Sequence, residues 1–292
     1  MQLDDLKQIL GPFPEKAVLA SEVIERVECD GYVREKVMFS SESGERIPAF
    51  VLVPVGVGPF PAVYCHHQHA SDWDVGKSEV AGLAGDSSQA IAVDLVLRGF
   101  IAFAPDALCF EERKTHDNGR VGNYRELSNR LCQGTTLLSK VLFDVQVGVD
   151  YLCSRSDVDS SLIGFIGHSY GGRMALWVPA VEKRFSASVS HCGCVSYAES
   201  IERNYGVQME FCVPGIMSVG DVVDVLRLAD PCNVLISATL DDKWSSGAKE
   251  LYAGAKDAFV DGEIELALYP GGHEFSDEMK DVAYSFLENH LQ

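Results

Sequence analysis

The sequence has no apolar run of the length a membrane-spanning helix needs, and none is expected to form. Positive charge is scarce: 24 Lys and Arg stand against 43 Asp and Glu, a formal net charge of −19 over 292 residues. The acidic residues are spread along the chain rather than gathered in a tail. That balance argues against a nucleic-acid backbone or an anionic membrane as partner. Nine cysteines are present, yet no Cys-x-x-Cys pair occurs, so the paired spacing of a structural zinc site is missing. Cys192 and Cys194 beside His191 are read as buried free thiols at the end of an apolar run. Neither a metal nor a cofactor is expected. Internal repeats and low-complexity stretches are lacking too. The opening residues, MQLDDLKQIL, are acidic and have no long apolar core, which is not the pattern of a secretory signal; the expected location is the cytoplasm. With 47% hydrophobic and 23% charged residues, the composition is that of a folded chain with a substantial core, and disorder is excluded.

What is present is an alternation. Tyr32 to Ser41 and Arg46 to Val55 read as strands joined by the turn-like SESGE, an antiparallel hairpin. Phe60 to His67, Phe100 to Asp106 and Ser161 to His168 are short apolar strands, and so are FSASVSHCG, NVLISAT and EIELALYP further on. Between them lie helical patterns. The longest, Thr136 to Arg155, carries Leu138, Val141, Leu142, Val145, Val149 and Leu152 at three- and four-residue spacing. Short buried strands alternating with helices predict an α/β fold: a mostly parallel sheet of about eight strands, edged by the hairpin and covered by helices on both faces. A single domain over 1–292 is expected. Two stretches, 108–134 and 195–220, fit no core element. Each follows the C-terminal end of a strand, where open parallel sheets bind ligands, so both are expected to act as lids.

Gly167-His168-Ser169-Tyr170-Gly171 is a G-x-S-x-G turn, placed between a strand and a helix. Such a turn lifts a serine hydroxyl above the sheet edge and aims the first helix amides at whatever binds there. A serine needs a base to take its proton and a carboxylate to orient that base, and on this architecture they follow in the order Ser, acid, His. Asp241 and Asp242 come directly after NVLISAT, and His273 lies in the Gly-rich loop after EIELALYP. Ser169, Asp241 and His273 are the expected triad. Asp241 is favoured because it comes sooner after the strand, with Asp242 as the alternative. The backbone N–H of Tyr170 is the expected oxyanion donor, and a second should come from the loop His66-His67-Gln68-His69, with His69 preferred to Gln68. The three histidines of that loop have no acidic partner nearby that would complete a catalytic zinc pattern. Arg113 and Arg173 are cations that a substrate carboxylate could reach, with surface or helix-packing roles the favoured reading for both.

Four stretches carry a resemblance: PAVYCHHQHASDWDVGKSEVAGLAG, GFIAFAPDALCFEER, GFIGHSYGGRMALW and YPGGHEF. Together they resemble the α/β-hydrolase superfamily and, within it, the dienelactone-hydrolase and acetyl-xylan-esterase-like branch. The resemblance implies an α/β-hydrolase fold and a Ser–Asp–His hydrolase that needs no cofactor. Dienelactone hydrolases proper use a cysteine nucleophile where this chain has Ser169, which points away from dienelactone as substrate. The oxyanion loop reads HHQHA rather than HGGG, so His67 and His69 are expected to narrow the pocket, with Gln68 beside them. The resulting expectation is a serine esterase, carboxylesterase-like or deacetylase-like, acting on a small-molecule ester. A homo-oligomer is compatible with it. Amide hydrolysis of the prolyl-oligopeptidase kind uses the same triad, and a non-catalytic binder on the same fold is the remaining alternative.

Overall fold

The computed structural model describes residues 1–292. Nine strands form one sheet: β1 (Ser21–Cys29), β2 (Tyr32–Ser40), β3 (Arg46–Pro54), β4 (Phe60–His66), β5 (Ile101–Pro105), β6 (Val158–His168), β7 (Phe185–His191), β8 (Asn233–Thr239) and β9 (Ile264–Tyr269), in the order β1-β2-β3-β5-β4-β6-β7-β8-β9. The pairs from β1 to β5 are antiparallel, and β5, β4, β6, β7, β8 and β9 run parallel. The fold class is the one the alternation predicts.

The strand count differs by one. β1 was not expected, because its sequence, SEVIERVEC, is charged on every side and buries no residue fully. It is held by its ladder to β2 rather than by a buried face. The central strands show the opposite pattern. All five residues of β5 are buried, as a strand covered on both faces must be.

Two apolar layers flank the sheet. The helices Leu137–Ser154 and Tyr170–Val181 pack on one face, with Phe39, Tyr64, Phe103 and Phe165 beneath them. The helices Ile91–Leu97 and Asp277–Leu291 cover the other, against Val63, Cys65, Ile166 and Val189. The long helix starts at Thr136, whose side-chain oxygen accepts from the Ser139 amide at 3.0 Å. No helix is long and apolar enough to cross a membrane.

Chain direction reverses around β4. From β4 the chain moves outward to β5, then returns to β6 on the other side and continues to β9. The C-terminal ends of β4 and β6 therefore open a crevice at a topological switch point. The segments after β6, β8 and β9 all emerge on that edge.

Candidate functional site

Between β6 and the helix Tyr170–Val181 there is one residue, Ser169, with φ 58° and ψ −110°. A serine rarely adopts positive φ, and here the surroundings enforce it. Its amide donates to the His191 carbonyl at the end of β7 at 2.9 Å, and its carbonyl accepts from the Arg173 amide at 2.9 Å. The glycines make the turn sterically feasible. A Cβ on Gly171 would strike the His66 carbonyl at the end of β4, and one on Gly172 would strike the His191 carbonyl. The helix thus presses against neighbouring strand ends and holds Ser169, partly exposed, above them. Tyr170 opens the helix, where amides lack intrahelical acceptors.

His273, in the loop after β9, reaches this serine: its Nε2 lies 2.8 Å from Ser169 Oγ. Its Nδ1 lies 2.9 Å from Oδ2 of Asp242. The carboxylate beside His273 is therefore Asp242 and not the favoured Asp241. The cause is the turn after β8. The Asp241 amide donates to the Gly271 carbonyl at 3.0 Å, tying the two loops together, while the Asp241 side chain faces solvent. The next residue points inward and is only 5% exposed. Asp242 also accepts from the Trp244 amide at 3.0 Å and the Ser245 hydroxyl at 2.8 Å. Burial pushes its carboxyl up, but the hydrogen bonds from His273 and Trp244 outweigh this and hold it below the usual range. On His273, burial works against the charged ring, while hydrogen bonding to Asp242 and Cys192 pushes it upward.

Cys192 follows β7 and lies against this array. Its Sγ is 3.4 Å from His191 Nε2 and 3.4 Å from Thr239 Oγ1. Burial would raise the thiol, but the imidazoles of His168, His191 and His273 bring it far below its ordinary value. His168, 2% exposed, sets Nδ1 at 3.1 Å from Gln89 Oε1, while its Nε2 has no hydrogen-bond partner. Burial pushes its ring down to about 4, so it is neutral near pH 7.

A cavity of about 700 Å³ opens over Ser169 and His273. Both expected insertions supply its wall: Arg120 comes from the first and Tyr205 to Met209 from the second. His69, Trp73, Arg173 and Trp244 line it as well. Arg173 is buried, makes no ion pair, and leaves Nη2 without a partner. Its guanidinium lies 5.6 Å from the Phe211 ring centre and 5.0 Å from that of Trp244. Burial lowers it to about 10, so it stays charged.

Three expected substrate contacts lie elsewhere. Arg113 is buried between Asp144, at 2.7 Å, and Glu45, where it neutralises carboxylates inside the fold. His67 is fully buried, and its Nε2 accepts from the Ala107 amide at 3.1 Å, a brace between the β4 and β5 loops. The Gln68 side chain turns away to Glu79 Oε1 at 3.0 Å. The GKSE and APDALCFEER stretches meet through Lys77, whose ammonium sits 2.8 Å from Asp106, 2.5 Å from Glu111 and 2.6 Å from Glu112. That acidic group is thereby committed to holding two loops together.

Known proteins resemble this chain to different extents. The chain is 29% identical over 194 residues to "Putative hydrolase YtaP" of Bacillus subtilis strain 168, covering 66% of this chain and 63% of that protein. It is 25% identical over 187 residues to "Carbohydrate esterase MZ0003" from an unknown prokaryotic organism, covering 51% and 43%. The match thus spans less than two thirds of either relative. Among solved structures, Acetyl Xylan Esterase 1 from Thermoanaerobacterium sp. JW/SL YS485 superposes with a TM-score of 0.70 at 17% identity, covering 100% of this chain and 99% of that one, a likeness of fold. The sequence profile of the dienelactone hydrolase family matches residues 77–285, a span that runs from the Lys77 loop through the Ser169 turn and past His273. The chain belongs to the dienelactone hydrolase family.

Proposed function

We propose that this protein is a serine esterase that cleaves a small carbohydrate ester through an acyl-enzyme. The observation that carries the reading is the continuous relay from Asp242 through His273 to Ser169, with contacts of 2.9 and 2.8 Å, at a serine held in a strained turn. Ser169 Oγ attacks the ester carbonyl as its proton passes to His273 Nε2. The tetrahedral oxyanion faces the Tyr170 amide at the helix start, with the His69 amide as the proposed second donor. Collapse expels the alcohol, which takes the proton from His273. Water, deprotonated by His273, then releases the acid and restores the serine. Asp242 keeps the Nδ1 proton in place throughout.

The substrate class is supported by the cavity and by the relatives together. A cavity of about 700 Å³ suits a small ligand. Trp73 and Trp244 offer flat apolar faces, and Arg120 and Arg173 offer donors to hydroxyl or carboxylate oxygens. Relatives carry the names carbohydrate esterase and acetyl xylan esterase. The test is hydrolysis of p-nitrophenyl acetate and a panel of acetylated sugars, with Ser169→Ala as control and a fluorophosphonate probe for the serine. Turnover that disappears in Ser169→Ala, with probe labelling of the parent, is expected. Parental rates in Ser169→Ala would overturn the reading.

A further inference from the structure

We propose that His168, Cys192 and His273 form a binding site for one zinc ion, or another soft divalent ion, and that its occupation switches Ser169 off. The binding stands on the geometry alone; its effect on turnover rests on the esterase reading above.

One ring nitrogen of each histidine and the Cys192 sulfur all lie within 4.8 Å of one another. Around a tetrahedral zinc, with bonds of about 2.0–2.1 Å to nitrogen and about 2.3 Å to sulfur, neighbouring donors stand about 3.4–3.6 Å apart. Side-chain movements of about 1 Å close that difference. Each histidine also has the outer partner that a metal-binding imidazole uses. Nδ1 of His168 faces Gln89 Oε1 at 3.1 Å, and Nδ1 of His273 faces Asp242 Oδ2 at 2.9 Å. An N–H on Nδ1 satisfies those oxygens and leaves the lone pair on Nε2. In His168 that lone pair is buried and meets no donor. Buried polar atoms are ordinarily satisfied, and the only group facing this one is the Cys192 sulfur, itself a member of the cluster.

The other neighbours do not compete for the ion. His191 lies near Cys192, but its Nε2 is 2.7 Å from the Glu274 carbonyl, to which it donates. Thr239 Oγ1 donates to the Gly272 carbonyl. Apart from Asp242, already engaged with His273, no carboxylate belongs to the cluster. A thiolate with two imidazoles favours zinc or softer ions over magnesium and calcium. Cys192 and His273 border the open cavity, so an ion can enter, and Ser169 Oγ or water can supply a fourth donor. On binding, two Zn–N bonds and one Zn–S bond replace water ligands, and any proton on the thiol is released to solvent. The lone pair of His273 that would accept the Ser169 proton is then taken.

The experiment uses the full chain, stripped with EDTA and desalted, then titrated with Co2+ and afterwards with Zn2+. A thiolate-to-cobalt charge-transfer band is expected, saturating at one equivalent and displaced by zinc. The band should vanish in Cys192→Ala and His168→Ala, with zinc affinity at least about 100-fold weaker, and Gln89→Ala should weaken it by about 10-fold. Stoichiometric zinc should cut ester hydrolysis of the parent at least 10-fold by removing the base, restored by EDTA, while Cys192→Ala resists when compared with its own rate in EDTA. Lack of a charge-transfer band in the parent, or equal zinc inhibition in Cys192→Ala, would overturn the site. A band in a stripped protein that hydrolyses no ester would support the site and overturn the esterase reading instead.

Discussion

Asp242 and His273 meet at 2.9 Å across two loops, while Asp241, one residue earlier, faces solvent. The two aspartates are chemically identical, so position alone separates their proposed roles. Asp242→Asn keeps the shape but offers an amide where the imidazole N–H needs an acceptor. We predict that it lowers kcat by about 10³–10⁴-fold, as expected when the histidine tautomer is lost. Asp241→Asn is predicted to stay within about twofold of the parent. Steady-state hydrolysis of p-nitrophenyl acetate by the pair separates them, and similar losses in both would assign the acid wrongly.

The turn at Ser169 depends on missing side chains. In Gly171→Ala the new methyl meets the His66 carbonyl, which belongs to a central strand and cannot yield easily. Overpacking of this kind costs about 1–3 kcal/mol. For a chain of this size that corresponds to a fall in Tm of roughly 2–4 °C per kcal/mol, readable by calorimetry. Activity should fall further than stability, because the shift displaces the Tyr170 amide and Ser169 together. A variant with unchanged Tm would show that the backbone has room here.

Much of this was legible in the chain because local signals and global architecture agree. Strand–turn–helix patterning around Ser169, and a Gly-rich loop carrying His273 after the last strand, need only short-range rules. What stayed hidden depends on directions and distant partners. Choosing Asp242 over Asp241 requires knowing that the Asp241 amide is bound to Gly271. Arg113 looked available because Glu45 and Asp144, which neutralise it, lie 68 and 31 residues away. The approach of Cys192 to His168 follows from pairing β6 with β7, which sets His168 opposite His191. Adjacent parallel strands were expected, but not their register. β1 was missed because it has no buried face to generate an alternating pattern.

Arg113 anchors a prediction about pH. Glu45, in the turn between β2 and β3, pairs with Arg113 and lies 2.5 Å from Lys140. Burial alone would raise its carboxyl, but the two cations bring it from an ordinary 4.5 down to about 2. A depressed carboxyl stabilises the fold above the unfolded value, and this contribution is lost as pH falls from about 4.5 towards 2. Glu45→Gln should therefore destabilise by about 1–3 kcal/mol at pH 7, a range reduced for the solvent that reaches the pair. The gap should narrow as pH drops through that window. Urea unfolding of parent and variant at pH 7, 4.5 and 3 gives the comparison, and a gap that widens on acidification would contradict the assignment.

Arg173 tests specificity rather than chemistry. A buried guanidinium normally has a carboxylate beside it, yet here Nη2 is unpartnered and the charge rests against Trp244 and Phe211. The residue borders the cavity four positions after Ser169, and we predict that a substrate oxygen completes it. Arg173→Gln should leave p-nitrophenyl acetate turnover within a few fold, because that ester has no group to reach it. For sugar esters that do reach it, kcat/KM should drop about 10- to 100-fold, the worth of a charged hydrogen bond, mainly through KM. Equal losses on both kinds of substrate would instead make Arg173 a packing element of the helix that carries the nucleophile, since a distorted Ser169 turn slows every ester alike.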